Sequence, residues 1–447
     1  MNSKPSILFL ADTTHPAQVV HDHIQAVTSA AQLSWHVLNP TIIKILDKLD
    51  LSCFDAVGLH YSVKLYNNYY LSLQLKKKLA EYSGIKFLFL QDEYQRVNQI
   101  QDFLAQTGFH VLFTLVNPHY LKTSYPDQRL INLIKIPVLT GYVSEDMKTY
   151  SSTPIRDRGI DVSYRARRCE FWLGRLAYEK QWIADEFIKQ TEARGLKLDI
   201  SLEEQDRIYN DAWLDLLGHS KAVLGTESGS SIWDFDRSIE KKTNQFLKKN
   251  RQANFETVYE NVLKEHDGII MYSAISPRVF EAAAMKTAMI MFPGYYSGVC
   301  EADKHYIVLE NDFSNLESVL EKLNDVDFLQ ELVERTHQDL IVSGRYAQEV
   351  FAQKITDVLQ RLIPKKSSYF ESELICQMVN ATFEKYHRLN RLRRAKTEMV
   401  FMVNQFFQFA FDGKYRVRDR IHLLVIGLKR YITYCSPRLK KAPFHED

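Results

Sequence analysis

Three short stretches of this 447-residue chain carry residues suited to holding a phosphate and a sugar. GRLAYEK (174–180) sets a glycine and two cations, Arg175 and Lys180, around the start of a helical pattern. A helix start offers free N–H groups and partial positive charge, so these cations there make a diphosphate site, or else a solvated helix start. ISPRVFEAAA (275–284) places Ser276, Arg278 and Glu281 before an apolar run. Arg278 can face phosphate. Glu281 can accept from paired ribose hydroxyls, or serve only as a helix-start carboxylate. GYYSG (294–298) is a loop with two glycines around Tyr296, Ser297 and Gly298 that can bring backbone N–H groups to a ligand. TESGSS (226–231) follows an apolar strand pattern and puts Glu227 at its carboxyl end, as a pocket residue or a plain turn.

Acid–base candidates lie in the first third. Asp92 and Glu93 end the strand pattern KFLFLQD (86–92), and His60 ends AVGLHYS (56–62). Any of them at a strand's carboxyl end can take a proton from an acceptor hydroxyl, or cap a turn. WDFD (233–236) is a D-x-D, but that spacing alone reads as polar loop carboxylates, and no metal is expected. His15, His21, His23 and Asp22 match no metal-ligand spacing.

The elements that position these residues read as α/β. Short apolar runs alternate with helical patterns over 1–145, the rhythm of a parallel sheet, and a polar stretch (151–159) reads as a linker. A second alternating region covers 160–345. The pattern at 346–364 suits a helix crossing back to the first domain. The fold class is therefore two tandem Rossmann-like domains facing a cleft, plus a C-terminal helical appendage. The length suits two or three domains. Five scattered cysteines fit a reducing compartment, and no stretch approaches the ~20 apolar residues of a membrane helix. A cytoplasmic protein is expected, with no secretory leader at its start.

The net charge of +2 conceals an asymmetry. Residues 365–447 hold 17 Lys and Arg against 8 Asp and Glu, a net +9, while the rest carries −7. This basic, Phe-rich tail has a helical period. It reads as a peripheral contact with the anionic inner face of a membrane or as a docked bundle; nucleic acid is not expected.

The motifs together resemble the donor domain of group 1 glycosyltransferases of the GT-B type. The stretch YRARR…GRLAYEK…TESGSS…ISPRVFEAAA…YYSGV is most similar to the branch related to spore-maturation glycosyltransferases. The resemblance covers roughly 160–350 by motif and 1–145 by architecture. It implies a nucleotide-sugar donor as co-substrate without a further cofactor. Arg165, Arg175, Lys180 and Arg278 would hold the diphosphate, Glu281 the ribose, and the YYSG loop would close over the phosphates. It implies a saccharide or lipid-linked acceptor from the cell envelope. The family carries E-x7-E, whose second Glu corresponds to Glu281; eight residues earlier stands Ser273, not Glu. That departure leaves the transferred sugar and the retaining mechanism open. It also keeps a non-catalytic scaffold of the same fold as a reading; a sugar-nucleotide epimerase, which needs the same donor site but no acceptor, and a nucleic-acid or membrane adaptor acting through the tail are the other two.

Overall fold

The structure is a computed structural model that describes residues 4–364, apart from 16, 41–48, 69 and 209–210. The basic tail, 365–447, lies outside the described residues, and so do the expectations placed on it.

The first sheet is parallel, in the order β2-β1-β3-β4-β5-β6. Its strands are β1 (Ser6–Leu10), β2 (Ser34–Leu38), β3 (Ala56–Leu59), β4 (Ile85–Phe89), β5 (Val111–Thr114) and β6 (Ile134–Pro137). Strand β3 lies within the run AVGLHYS, and β4 begins one residue before the run KFLFLQD, both read as strands from sequence. Runs such as ILFL and KFLFL are buried on both faces, which is why they read as continuous apolar strands rather than alternating ones. Helices α1 (Gln18–Thr28), α2 (Leu73–Glu81) and α3 (Val97–Thr107) flank this sheet.

The second sheet is also parallel, in the order β13-β12-β9-β7-β8. It comprises β7 (Ile160–Arg165), β8 (Leu198–Ser201), β9 (Ser220–Gly225), β12 (Ala288–Met291) and β13 (Ile307–Val308). The helices here are α4 (Arg175–Thr191), α5 (Asp211–Gly218), α6 (Ser238–Lys249), α7 (Arg278–Ala284), α8 (Leu316–Asn324) and α9 (Val326–His337). The chain thus forms two tandem Rossmann-like α/β domains, as the alternation implied. In this sheet the order reverses between β7 and β9, so their carboxyl ends open a crevice of the kind that takes ligands in doubly wound sheets.

Two features tie the domains. Helix α10 (Gln348–Leu362) returns to the first, where Phe351, Ile355 and Leu359 pack among Ile7, Phe9 and Phe113. The second feature was not foreseen. Strands β10 (Ser228–Ser230) and β11 (Tyr272–Ala274) form a two-stranded antiparallel ribbon, pairing Ser228 with Ala274 and Gly229 with Ser273. Residues 228–273 are therefore an excursion that returns to its point of departure. It has its own small core of Ile232, Ile239, Phe255, Val258 and Leu263. It also grips the first domain: Asn98 N–H donates to the Phe235 carbonyl (2.9 Å), and Asp92 N–H donates to the Tyr272 hydroxyl (3.1 Å).

Candidate functional site

The crevice between β7 and β9 gathers some of the expected residues and diverts others. Lys180, one turn and a half into α4, is half-buried, and none of the described residues hydrogen-bonds or ion-pairs with its ammonium. Burial first, with the neighbouring guanidinium groups of Arg167 and Arg278 adding to it, holds its pKa below the usual lysine value; Cys169 and, across the cleft, Asp92 oppose them. Cations that repel one another, none in an ion pair among the described residues, define a place for an anion.

Arg278 begins the short helix α7 and is exposed. Its guanidinium lies 4.6 Å from the Trp213 ring centroid and donates to the Arg165 carbonyl. Glu281 takes the Trp213 indole N–H at 2.6 Å. Burial raises its pKa, and the Trp213 bond and Arg278 moderate the rise. Trp213, from α5, is a residue the sequence did not single out; it is held between the arginine and the glutamate. Ser276 is half-buried, and the Arg278 N–H donates to its Oγ at 3.4 Å.

Two expected phosphate ligands are engaged elsewhere. Arg165 closes an ion pair with Asp199 at 2.6 Å and donates to the carbonyls of Asp199 (2.8 Å) and Asp206 (3.1 Å). It fastens β7 to β8 and the following turn. Arg175 pairs with Glu256 at 3.0 Å and lies 4.2 Å from the Tyr259 ring centroid. The start of α4 is occupied too. Arg175 N–H donates to Asp267 (2.8 Å) and Leu176 N–H to the Ser231 hydroxyl (3.1 Å). Gly174, at φ +81, is required there, because a Cβ would stand 2.4 Å from Ser231 Oγ. Glu256, Asp267 and Ser231 all belong to the excursion, so a segment invisible as a unit in the sequence fills the helix start that the sequence offered to phosphate.

The YYSG loop is likewise engaged. The Tyr296 N–H donates to Glu227 Oε1 at 2.8 Å, with Tyr295 N–H and the Ser273 hydroxyl also toward that carboxylate. Tyr296, Ser297 and Gly298 all have positive φ (44°, 55° and 73°), and Ser297 Oγ accepts from Ile275 N–H at 3.1 Å. In this structure the anion the loop holds is Glu227. Burial raises the Glu227 pKa against those bonds. Beside it, burial and the charge of Glu227 push Glu179 up to about 7, while Asn311 donates to Glu179 at 3.1 Å.

The excursion changes the reading of Ser273. With 228–273 removed, the seven residues 274–280 separate Glu227 from Glu281, which is the spacing the sequence lacked. Ser273 lies on the return strand, and its hydroxyl bonds the Glu227 carboxylate.

The three acid–base candidates differ sharply. Asp92 is exposed at the carboxyl end of β4, in a left-handed conformation (φ 55°) costly for a non-glycine residue, and its carboxylate accepts from the Tyr94 hydroxyl at 3.0 Å. Glu93 is 1% exposed and accepts from Thr114 Oγ1 (2.7 Å), Leu115 N–H (3.0 Å) and the Tyr125 hydroxyl. His60 is 1% exposed, bonded to Ser62 (2.8 Å) and His23 (3.0 Å), with burial holding it well below its usual pKa. Both are sealed from the opening, so the geometry gives Glu93 and His60 packing and hydrogen-bonding partners rather than access to an acceptor hydroxyl. Asp234 and Asp236 of the D-x-D accept from backbone N–H groups at the start of α6, at 2.9 Å each.

Burial pushes the Glu93 pKa up to about 7, from an ordinary 4.5. The folded protein then keeps a proton that the unfolded chain has released, so stability falls as pH rises from about 4.5 through about 7. Glu93→Gln should remove that slope. By pH 8 the variant should be about 2 kcal/mol more stable relative to wild type than at pH 5. Thermal melts of both proteins across that range check it, and parallel curves would refute it.

No protein-family model matches this chain, and no curated protein does. Among solved structures, an alpha-glucosyltransferase in complex with UDP-glucose and DNA containing an abasic site is similar over 80% of this chain and 100% of its own, at 11% identity and a TM-score of 0.48. The same kind of enzyme with UDP and a 13-mer DNA gives 10% identity and a TM-score of 0.49, with the same coverage. Anabaena HepE in complex with UDP-glucose gives 10% and 0.45, again over 80% and 100% of the two chains.

Proposed function

We propose that this protein is a glycosyltransferase that moves a sugar from a nucleotide-diphosphate donor to a saccharide or lipid-linked acceptor. The observation that carries the proposal is the two-sided chemistry of the β7–β9 crevice. On one side stand Lys180, Arg167 and Arg278, cations without an ion-pair partner among the described residues. On the other stand the carboxyl groups of Glu227 and Glu179, with Glu227 close enough to raise the proton affinity of Glu179. Cations suit a diphosphate, and carboxylates suit hydroxyl donors. A nucleotide-diphosphate sugar presents both in sequence.

In this reading Lys180 and Arg278 neutralise the leaving diphosphate, without a metal ion. Glu281, fixed by Trp213, takes the ribose hydroxyls. Glu227, fixed by the Tyr295–Tyr296 backbone, takes the transferred sugar. Asp92 faces this group from the first domain and is placed to accept the proton of the acceptor hydroxyl. The spore-maturation-like branch remains a proposal on the motifs alone.

The test is a thermal-shift screen against UDP, GDP, ADP and dTDP sugars, with Glu281→Ala beside wild type. One nucleotide class should raise the wild-type melting temperature by several degrees at millimolar concentration and the variant's by far less. If no nucleotide shifts the wild type, the proposal fails. Product formed from the sugar nucleotide alone would instead select the epimerase reading.

A further inference from the structure

The excursion does more than cap α4: its helix α6 carries a stripe of lysines. At 100° per residue, Lys241, Lys242, Lys248 and Lys249 fall within an arc of about 120°, with Gln245 at its centre, and span about 12 Å along the helix. All four are exposed, and none is in an ion pair. Arg251, also exposed, follows just past the helix end. Asp236 and Glu240 influence Lys241 at the helix start, but Asp236 caps the first turn and Glu240 is paired with Arg237. The opposite face, with Ile239 and Thr243, is buried in the excursion's own core. The helix begins three residues, and the stripe six residues, after the contact between Phe235 and the first domain.

We propose that this stripe binds an acidic polysaccharide, the acceptor chain or its growing end, as it leaves the cleft. The proposal rests on the transferase reading for the word acceptor and on the excursion's geometry for the charge. Its chemistry separates a glycan from other polyanions. No exposed large apolar side chain falls within 237–253, so any hold on a lipid surface would rest on charge alone, without insertion. No exposed aromatic lies among the lysines to stack a base, as single-stranded nucleic acid binding requires. Lysines repeating along a helix suit carboxylates repeating along a chain, in a contact that weakens with salt.

The test uses the full chain, so that residues 365–447 contribute equally to every arm. Binding of polygalacturonate, neutral dextran, single-stranded DNA and phosphatidylglycerol vesicles is measured against salt. Wild type is compared with a variant carrying Lys→Ser at 241, 242, 248 and 249, and with the milder pair Lys248→Ser and Lys249→Ser. The expected result is salt-sensitive binding of polygalacturonate and not dextran, weakened about tenfold in the fourfold variant and less in the pair. The thermal shift with whichever nucleotide the screen selects should be unchanged in both. Equal polygalacturonate binding by wild type and variants, or none by any, overturns the proposal. A stripe-dependent preference for vesicles or DNA overturns it in favour of that partner. A wild type that binds polygalacturonate through the stripe and no nucleotide would sink the transferase reading while leaving the glycan surface standing.

Discussion

Replacing Lys180 with alanine should abolish most nucleotide-diphosphate binding without weakening the fold. A charge-assisted bond to phosphate is worth about 2–3 kcal/mol, so affinity should fall roughly 30- to 150-fold. The free protein should melt no lower than wild type. The ammonium is held below its ordinary pKa by burial and by Arg167 and Arg278, so its charged form is a burden on the unliganded fold. The sign follows. Below the ordinary pKa of 10.5 the unfolded chain binds this proton more readily, so wild-type stability climbs as pH rises toward that value. The variant should lack that climb. Calorimetric titration with the nucleotide and melts from pH 7 to 10 measure both effects. A variant that binds normally places the diphosphate elsewhere. A variant that melts several degrees lower gives Lys180 a structural role.

Glu227→Gln should separate the two halves of the site in the opposite way. Glutamine keeps an oxygen for the Tyr296 N–H, so the loop should stay in place. It loses the charge that would meet the sugar and its transition state. Nucleotide binding without the sugar should remain within about threefold, whereas kcat should fall about 100-fold, near 2.7 kcal/mol, with the KM for the donor moving little. A donor-hydrolysis assay, run with and without acceptor, reads this directly. If binding and turnover fall together, Glu227 serves the loop rather than the sugar. Glu227→Ala, which releases the loop's N–H groups, gives that outcome for comparison.

The strands were legible because burial on both faces writes an apolar run of the right length, as ILFL and KFLFL show. Glu281, Arg278 and Lys180 were legible because their spacing relative to a glycine or an alanine helix fixes where they emerge. Arg165 and Arg175 were not, since only the folded chain brings Asp199 and Glu256 to them. Glu93 and His60 share the strand-end position of Asp92, but whether such a residue faces the opening depends on Thr114, Tyr125 and His23, distant in sequence. The excursion was the largest loss. Its strands are three residues each, too short to carry a period, and 41 residues lie between them. Without that pairing, counting back from Glu281 stops at Ser273 and misses Glu227.

Helix α10 has a consequence for the order in which the chain acquires its structure. Phe351, Ile355, Leu359 and Ile363 belong to the same cluster as Ile7, Phe9, Phe87 and Phe113. On a ribosome the first domain emerges early, yet its core is incomplete until more than 360 residues have been made. The nascent first domain must therefore wait, with an apolar face uncovered, while the second is synthesised. Of the two domains, the one made earlier is completed later.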